Sequence, residues 1–79
     1  MAINYAYNYA YNYAEIDNAN NMCVGVVTSS RSDMAGPTGN NSTYVEIPVY
    51  DGDYILKFYI NGNWYEDAEG TIPWTSSLL

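Results

Sequence analysis

The feature that most constrains this chain is a four-residue repeat near its N-terminus in which every second residue is tyrosine. Asn-Tyr-Ala-Tyr occupies residues 4–7 and 8–11, and a third copy begins at Asn12. A side-chain period of two is the period of a β-strand, and tyrosine favours strands. A helix would scatter the same tyrosines around its circumference. The repeat therefore predicts a strand over residues 3–17.

The two faces of this strand differ in size and chemistry. One face carries five aromatic side chains: Tyr5, Tyr7, Tyr9, Tyr11 and Tyr13. The other carries only asparagine and alanine until Ile16, so it is small, flat and suited to the close approach of another backbone or sheet. Adding or removing eight residues leaves each side chain on its original face, because the strand period is two. The repeat is interpreted as the lengthening of an ordinary strand.

The length of this strand predicts self-association. Residues 3–17 fully extended span about 50 Å, whereas a compact domain of this size has a diameter of roughly 30 Å. A protruding, uncharged strand is prone to pair with other chains. We expect a homo-oligomer, a dimer or trimer, joined through the five tyrosines. A flexible arm and a helical arm are the alternatives.

The remainder of the chain predicts an all-β fold, a small antiparallel sheet of about five strands in a single domain 1–79. An arm or repeat-extended strand (1–17) precedes a β-sheet domain (18–79) with a long loop at 29–43. A turn at 18–21 pairs the first two strands, and Gly25 indicates a bulge or a close backbone contact in the second. The later strands are predicted at 22–28, 44–47, 54–60 and 63–67, with Pro48 weakening the third.

Asn61-Gly62 is the strongest hairpin signal in the chain and predicts a type I′ turn. A two-residue loop places Tyr59 opposite Trp64 and also predicts the pairs Ile60–Asn63, Phe58–Tyr65 and Lys57–Glu66. One face of the hairpin then holds the predicted core residues Leu56, Phe58, Ile60 and Tyr65. The other holds Ile55, Tyr59 and Trp64.

Charge excludes several function classes. The chain has nine acidic residues and only two basic residues, Arg31 and Lys57, which gives a net charge of −7. Nucleic acid and anionic membrane surfaces both require basic residues, so neither is an expected partner. The chain has no histidine, which removes His-based catalysis and His metal ligands. No secretory signal is recognisable, so synthesis in a reducing cytoplasm is expected.

No catalytic residue, metal site or cofactor is predicted. Cys23 is the only cysteine and is predicted to be a small buried hydrophobic residue. A reactive thiol and an intermolecular disulfide are the alternatives. The acidic clusters at 51–53 and 66–69 read as solvated turns, because their spacing is not that of an EF-hand calcium loop. Glycoside hydrolysis by paired carboxylates would need a groove that so small a sheet hardly offers.

Three aromatic residues form the predicted partner surface: Tyr59, Trp64 and Trp74. Tyrosine and tryptophan dominate the energetics of protein interfaces. The same side chains could instead pack a core or form a platform for sugars, and those two alternatives stay open.

Five segments carry a resemblance to a family: Asn-Tyr-Ala-Glu-Ile-Asp at 12–17, Asn-Met-Cys-Val-Gly-Val at 21–26, Glu-Ile-Pro-Val-Tyr-Asp at 46–51, Tyr-Ile-Leu-Lys at 54–57 and Asn-Gly-Asn-Trp at 61–64. They resemble short phage and prophage proteins of Gram-positive bacteria, often encoded beside tail-fibre genes. The segment 34–39 and the repeat itself depart from the pattern of that family. No catalytic or binding residue is carried over.

The resemblance implies a non-enzymatic, oligomeric binding or structural protein associated with a tail fibre. Such a protein is made in the cytoplasm of the bacterial host and is carried in the virion. The alternative is a small acidic phage-encoded inhibitor that binds a basic host protein of an anti-phage defence system.

Overall fold

The computed structural model describes residues 11–79, and over this range the protein is all-β. Its elements in chain order are β1 (Tyr11–Asp17), β2 (Cys23–Ser29), β3 (Gly36–Pro37), β4 (Ser42–Ile47), a 3₁₀ helix (Gly52–Tyr54), β5 (Phe58–Ile60) and β6 (Asn63–Tyr65). They form a four-stranded antiparallel sheet of order β2-β1-β4-β3 and a two-stranded hairpin, β5-β6. The predicted all-β antiparallel fold is confirmed.

Strand β1 lies inside the larger sheet, with β2 on one side and β4 on the other. Ala14 faces Val26 of β2 and Val45 of β4. The turn at 18–21 joins β1 to β2 as predicted, and the Asn21 amide donates to the Asp17 carbonyl at 2.8 Å. The end of the tyrosine repeat is therefore a central strand of the sheet.

A bulge interrupts the β1–β2 ladder near Gly25. Ile16 faces Cys23 and Glu15 faces Gly25, so Val24 is the extra residue. The bulge predicted from the glycine is confirmed. Just before it, the backbone of Cys23 turns outward, accepting from the Leu56 amide and donating to the Lys57 carbonyl, both at 2.8 Å. These two bonds tie the segment that precedes β5 to the first residue of β2.

The predicted hairpin turn is also confirmed. Asn61 and Gly62 have φ values of 52° and 85°, both positive as a type I′ turn requires. The pairs Tyr59–Trp64, Phe58–Tyr65 and Ile60–Asn63 are those predicted.

The prediction of a strand over 54–60 is wrong in its first half. The Asp51 carboxylate accepts from the Asp53 amide at 2.9 Å and caps the 3₁₀ helix. Leu56 follows with a φ of 77°, a conformation that no strand contains. Because β5 begins only at Phe58 and β6 ends at Tyr65, the register does not reach the predicted Lys57–Glu66 pair.

The core lies between the sheet and the C-terminal part of the chain. Its buried cluster comprises Ala14, Ile16, Cys23, Ile47 and Tyr54, with Tyr59, Trp64 and Trp74 packed against it. The predicted core face of the hairpin is therefore wrong: Leu56 is 62% exposed, and Phe58, Ile60 and Tyr65 are only half-buried. Tyr59 and Trp64 of the opposite face pack against the core instead, whereas Ile55 of that face is 37% exposed.

The predicted loop at 29–43 contains one short strand, β3, which pairs with Thr43 and Tyr44 of β4. Strand β4 starts at Ser42, two residues earlier than predicted. Among residues 11–79 no helix is long and apolar enough to cross a membrane.

Candidate functional site

The structure describes two of the five predicted interface tyrosines. Tyr5, Tyr7 and Tyr9 lie outside the described residues. Tyr11 is half-buried at the start of β1, and Tyr13 is fully buried.

Tyr13 is buried by its own chain. Its ring lies 6.2 Å from the ring of Tyr44, and its hydroxyl donates to the backbone carbonyl of Arg31. On the same face, the Glu15 carboxylate accepts from the Ser42 hydroxyl at 2.7 Å. The loop after β2 and the start of β4 therefore cover this face of β1, and Tyr13 offers no free surface to a partner.

The opposite face of β1 behaves as its small side chains predict. Ala14 is fully buried, and Ile16 is 4% exposed. Both belong to the cluster against which Trp64 and Trp74 pack. The alanine of the repeat unit thus permits the close approach of a second layer.

The three residues of the predicted partner surface come together around Tyr54. The Trp64 and Trp74 rings each lie 4.8 Å from the Tyr54 ring, edge to face. Tyr59 lies 5.0 Å from Trp64. Tyr54 is 2% exposed, and its burial raises the pKa of its hydroxyl. The cluster is thus an aromatic core with partly open outer sides.

Sequence reasoning missed the central position of Tyr54. It was assigned to a strand, whereas it closes the 3₁₀ helix capped by Asp51. The signal available in the sequence was the Asp51-Gly52-Asp53 segment, since an aspartate two residues before an amide favours such a turn.

Lys57 contacts this cluster at the ring of Trp74. Its ammonium lies 5.0 Å from the centroid of the Trp74 ring, within the range of a cation–π interaction. The Lys57 ammonium therefore contacts Trp74, and the predicted pairing of Lys57 with Glu66 does not form.

A cleft of about 260 Å³ opens beside the two tryptophans. Its other lining residues are Pro48, Tyr54, Gly62, Asn63, Thr75, Ser76 and Leu79. Small-molecule sites usually measure about 300–1,000 Å³, so this cleft suits one side chain or one sugar ring. Interface contact and sugar stacking thus both remain compatible with the exposed sides of Trp64 and Trp74.

A buried polar pair lies next to the cleft, which Ser76 lines. Asp51 and Ser76 are 7% and 4% exposed, and the Ser76 hydroxyl donates to the Asp51 carboxylate. This bond, with the Asp53 amide and the positive charge of Lys57, lowers the pKa of Asp51. The expectation that 51–53 is merely a solvated turn is therefore wrong for Asp51, which anchors the C-terminal segment.

Cys23 is fully buried, as predicted for a small hydrophobe. Its thiol donates to the Gly25 carbonyl at 3.3 Å, and burial raises the pKa of the thiol. A raised pKa keeps the sulfur protonated at neutral pH, which makes Cys23 a poor nucleophile.

Carboxylates elsewhere serve local structure. The Asp67 carboxylate accepts from the Thr71 hydroxyl and from the amide of Ile72 at 3.0 Å, and these bonds lower the pKa of Asp67. Over residues 11–79 no three His, Cys, Asp or Glu side chains converge as metal ligands do.

Comparison with protein-family models, with curated proteins and with solved structures gives no match to this chain.

Proposed function

We propose that this chain is a non-enzymatic, self-associating structural or binding protein of the phage-tail type, whose copies join through the tyrosine repeat. The observation that carries the proposal is the position of β1. The repeat runs directly into the central part of the sheet, and both neighbours of β1 stop where the described part of the repeat begins.

The ends of the neighbouring strands limit what the preceding repeat residues can pair with in their own chain. Strand β2 ends at Ser29, opposite Tyr11, and the chain then turns to cover Tyr13. Strand β4 ends at Ile47, opposite Asn12, and Pro48 follows, which has no amide to donate. Within residues 11–79, neither neighbour continues in register alongside an extension of β1.

The segment that would extend β1 has the composition of a strand. Residues 3–10 hold no charge, proline or glycine, and they alternate tyrosine with smaller residues. Eight extended residues span about 26 Å. A strand of this kind needs partners for its backbone amides and carbonyls, and a second copy of the chain would supply them.

Deletion of residues 4–11 tests this proposal. It removes two complete repeat units, keeps the face of every later side chain, and places Ile3 where Tyr11 stood. Asn12 and Tyr13 keep their pairing. Sedimentation velocity at micromolar concentration should show a dimer or trimer for the full chain and a monomer for the deletion. Deletion of residues 4–7 alone should give intermediate affinity.

Two results would contradict self-association through the repeat. One is a monodisperse monomer for the full chain. The other is an unchanged oligomer in the deletion variant, provided that tryptophan fluorescence and near-UV circular dichroism show both proteins folded.

The assignment to a tail fibre and virion rests on the resemblance to phage proteins and is tested separately. Mass spectrometry of purified virions should detect the chain at a constant ratio to the tail-fibre protein. Its absence from virions, with presence in the cytoplasm of infected cells, would favour the second candidate.

That second candidate is an inhibitor of a basic host protein, favoured by the distribution of charge. All nine carboxylates lie from Glu15 onward, and Arg31 is paired with Asp33 at 2.9 Å. An acidic surface attracts basic faces through long-range electrostatics. This candidate predicts salt-sensitive binding to a purified basic defence protein, and binding that is unaffected by salt would count against it.

A further inference from the structure

We infer that the outer edge of β2 is the docking strand for the tyrosine repeat, residues 3–10, of a second copy of this chain. The inference rests on the proposed self-association and names the surface at which it takes place.

Strand β2 lies at the edge of the larger sheet, and beyond its bulge at Val24 no charge, proline or covering segment of residues 11–79 protects it against strand pairing. Its sequence, Cys-Val-Gly-Val-Val-Thr-Ser, has no charge and no proline, and it is rich in β-branched residues. Natural edge strands are commonly blocked by lysine, by proline or by a covering segment. Val24, the bulged residue, is 46% exposed.

Within residues 11–79, only the beginning of β2 is covered by another segment of the chain. The backbone of Cys23 bonds outward to Leu56 and Lys57. Beyond it, no strand of residues 11–79 pairs with the outer side of residues 25–29. This open stretch is about 17 Å long.

The register along β1 identifies the backbone groups that this open edge presents. Cys23 directs its amide and carbonyl outward and lies opposite Ile16. In an antiparallel ladder, this orientation recurs at every second pair. Counting along β1, the next such pairs are Ala14–Val26 and Asn12–Thr28. The amides and carbonyls of Val26 and Thr28 therefore point away from the sheet, where an added strand would meet them.

The other edges of the described structure are poorer acceptors. Strand β3 has two residues, one of which is Pro37. The part of β4 that β3 leaves uncovered is Val45–Ile47, which includes the acidic Glu46 and is followed by Pro48. The strands of the hairpin have three residues each. Among residues 11–79 the β2 edge is the longest of these, and unlike the edges of β3 and β4 it carries neither charge nor proline.

The repeat fits this edge in charge, length and position. An acidic chain repels another acidic segment, whereas residues 3–10 precede the first carboxylate at Glu15. Their extended length of about 26 Å exceeds the open stretch. The repeat joins β1 at Tyr11, opposite Ser29 at the open end of β2. Two copies can therefore exchange repeats reciprocally, giving a closed dimer.

A proline substitution at Thr28 tests the edge. Thr28 is exposed, and proline removes an amide that the ladder within the chain does not use, a setting in which strands tolerate proline. Thr28→Pro should weaken self-association at least about tenfold, since it removes a hydrogen bond and blocks the ladder. The matched control Thr28→Ala keeps the amide and should leave the dissociation constant within about twofold of the unchanged chain.

A second measurement covers the case in which the proline variant does not fold. Hydrogen exchange of the full chain should show the Val26 and Thr28 amides protected increasingly as protein concentration rises. The chain lacking residues 4–11 should show fast exchange at both amides at every concentration. Protection in the full chain that does not depend on concentration would mean that the repeat docks within its own chain and would overturn the inference.

The outcomes separate this inference from the proposed function. If deletion of residues 4–11 abolishes association and folded Thr28→Pro associates normally, the repeat mediates association at another surface. The assignment of the β2 edge as the docking strand is then wrong. If the deletion leaves association intact, the proposed function itself is wrong. Loss of association in both variants supports the proposed function and the assignment of the β2 edge.

Discussion

The hydroxyl of Tyr13 donates a hydrogen bond to the backbone carbonyl of Arg31, 18 residues further along the chain. This bond holds the loop after β2 against the tyrosine face of β1. Tyr13, the last tyrosine of the repeat, therefore stabilises its own chain. Under the proposed self-association, the tyrosines that contact a partner are therefore those that precede Tyr13.

Loss of this hydroxyl should destabilise the protein. Tyr13→Phe keeps the ring and leaves the Arg31 carbonyl without its donor, so we expect unfolding free energy to fall by about 1–2 kcal/mol. Tyr50, 55% exposed, provides the control, and Tyr50→Phe should change stability by less than about 0.5 kcal/mol. Urea unfolding followed by tryptophan fluorescence measures both. Equal stability of the two variants would show that the Tyr13 hydroxyl contributes nothing.

Local sequence signals predicted the parts of the fold that depend on neighbouring residues. The alternation around Tyr13 identifies a strand because the side-chain period is a property of the backbone. Asn61-Gly62 identifies a type I′ turn because both residues tolerate positive φ. The same information could not show that β1 lies between β2 and β4, since that order depends on contacts distant in sequence.

The candidate site was less predictable for the same reason. Trp64 and Trp74 were recognised by residue type, but Tyr54, the ring that joins them, was assigned to a strand. Tyr54 closes the 3₁₀ helix capped by Asp51, and the Asp51 carboxylate also accepts from Ser76, 25 residues further along the chain. No local pattern reports a contact of that range, so the hairpin was assigned the wrong core face.

The Asp51–Ser76 pair should make stability depend on pH. The folded state lowers the pKa of Asp51, chiefly through the Ser76 hydroxyl. The pair therefore stabilises the protein above the unfolded pKa of about 3.9, and that contribution is lost as pH falls through the lower folded value. Ser76→Ala should destabilise the protein at neutral pH, and the difference from the unchanged chain should shrink below about pH 4.

Thr75→Ala is the matched control for this prediction, because Thr75 is the exposed neighbour of Ser76. Its effect should be small and independent of pH. Thermal unfolding between neutral and acidic pH measures all three proteins. A Ser76→Ala effect of constant size across this range would show that the serine acts by packing alone.

Alanine substitution at two uncrowded glycines, only one of which has a positive φ, measures the cost of that backbone conformation. Gly62 has a φ of 85°, and a Cβ there would meet nothing within 4 Å. Gly62→Ala should therefore cost about 1–2 kcal/mol through conformation alone. Gly52 is equally uncrowded, without a positive φ, and Gly52→Ala should stay within about 0.5 kcal/mol of the unchanged protein. Similar losses at both positions would argue against the type I′ turn as the cause.

The burial of Cys23 should protect its thiol from reagents and from disulfide formation. Burial both blocks access and raises the pKa of the thiol. Reaction with a thiol reagent in native buffer should be at least about a hundredfold slower than in denaturant, which corresponds to an opening free energy near 3 kcal/mol. Because β2 holds this residue inside the core, Cys23→Ala should also self-associate as the unchanged chain does under oxidising conditions. Fast native labelling, or an oligomer that disappears in Cys23→Ala, would instead mean that the thiol reaches the surface and joins copies covalently.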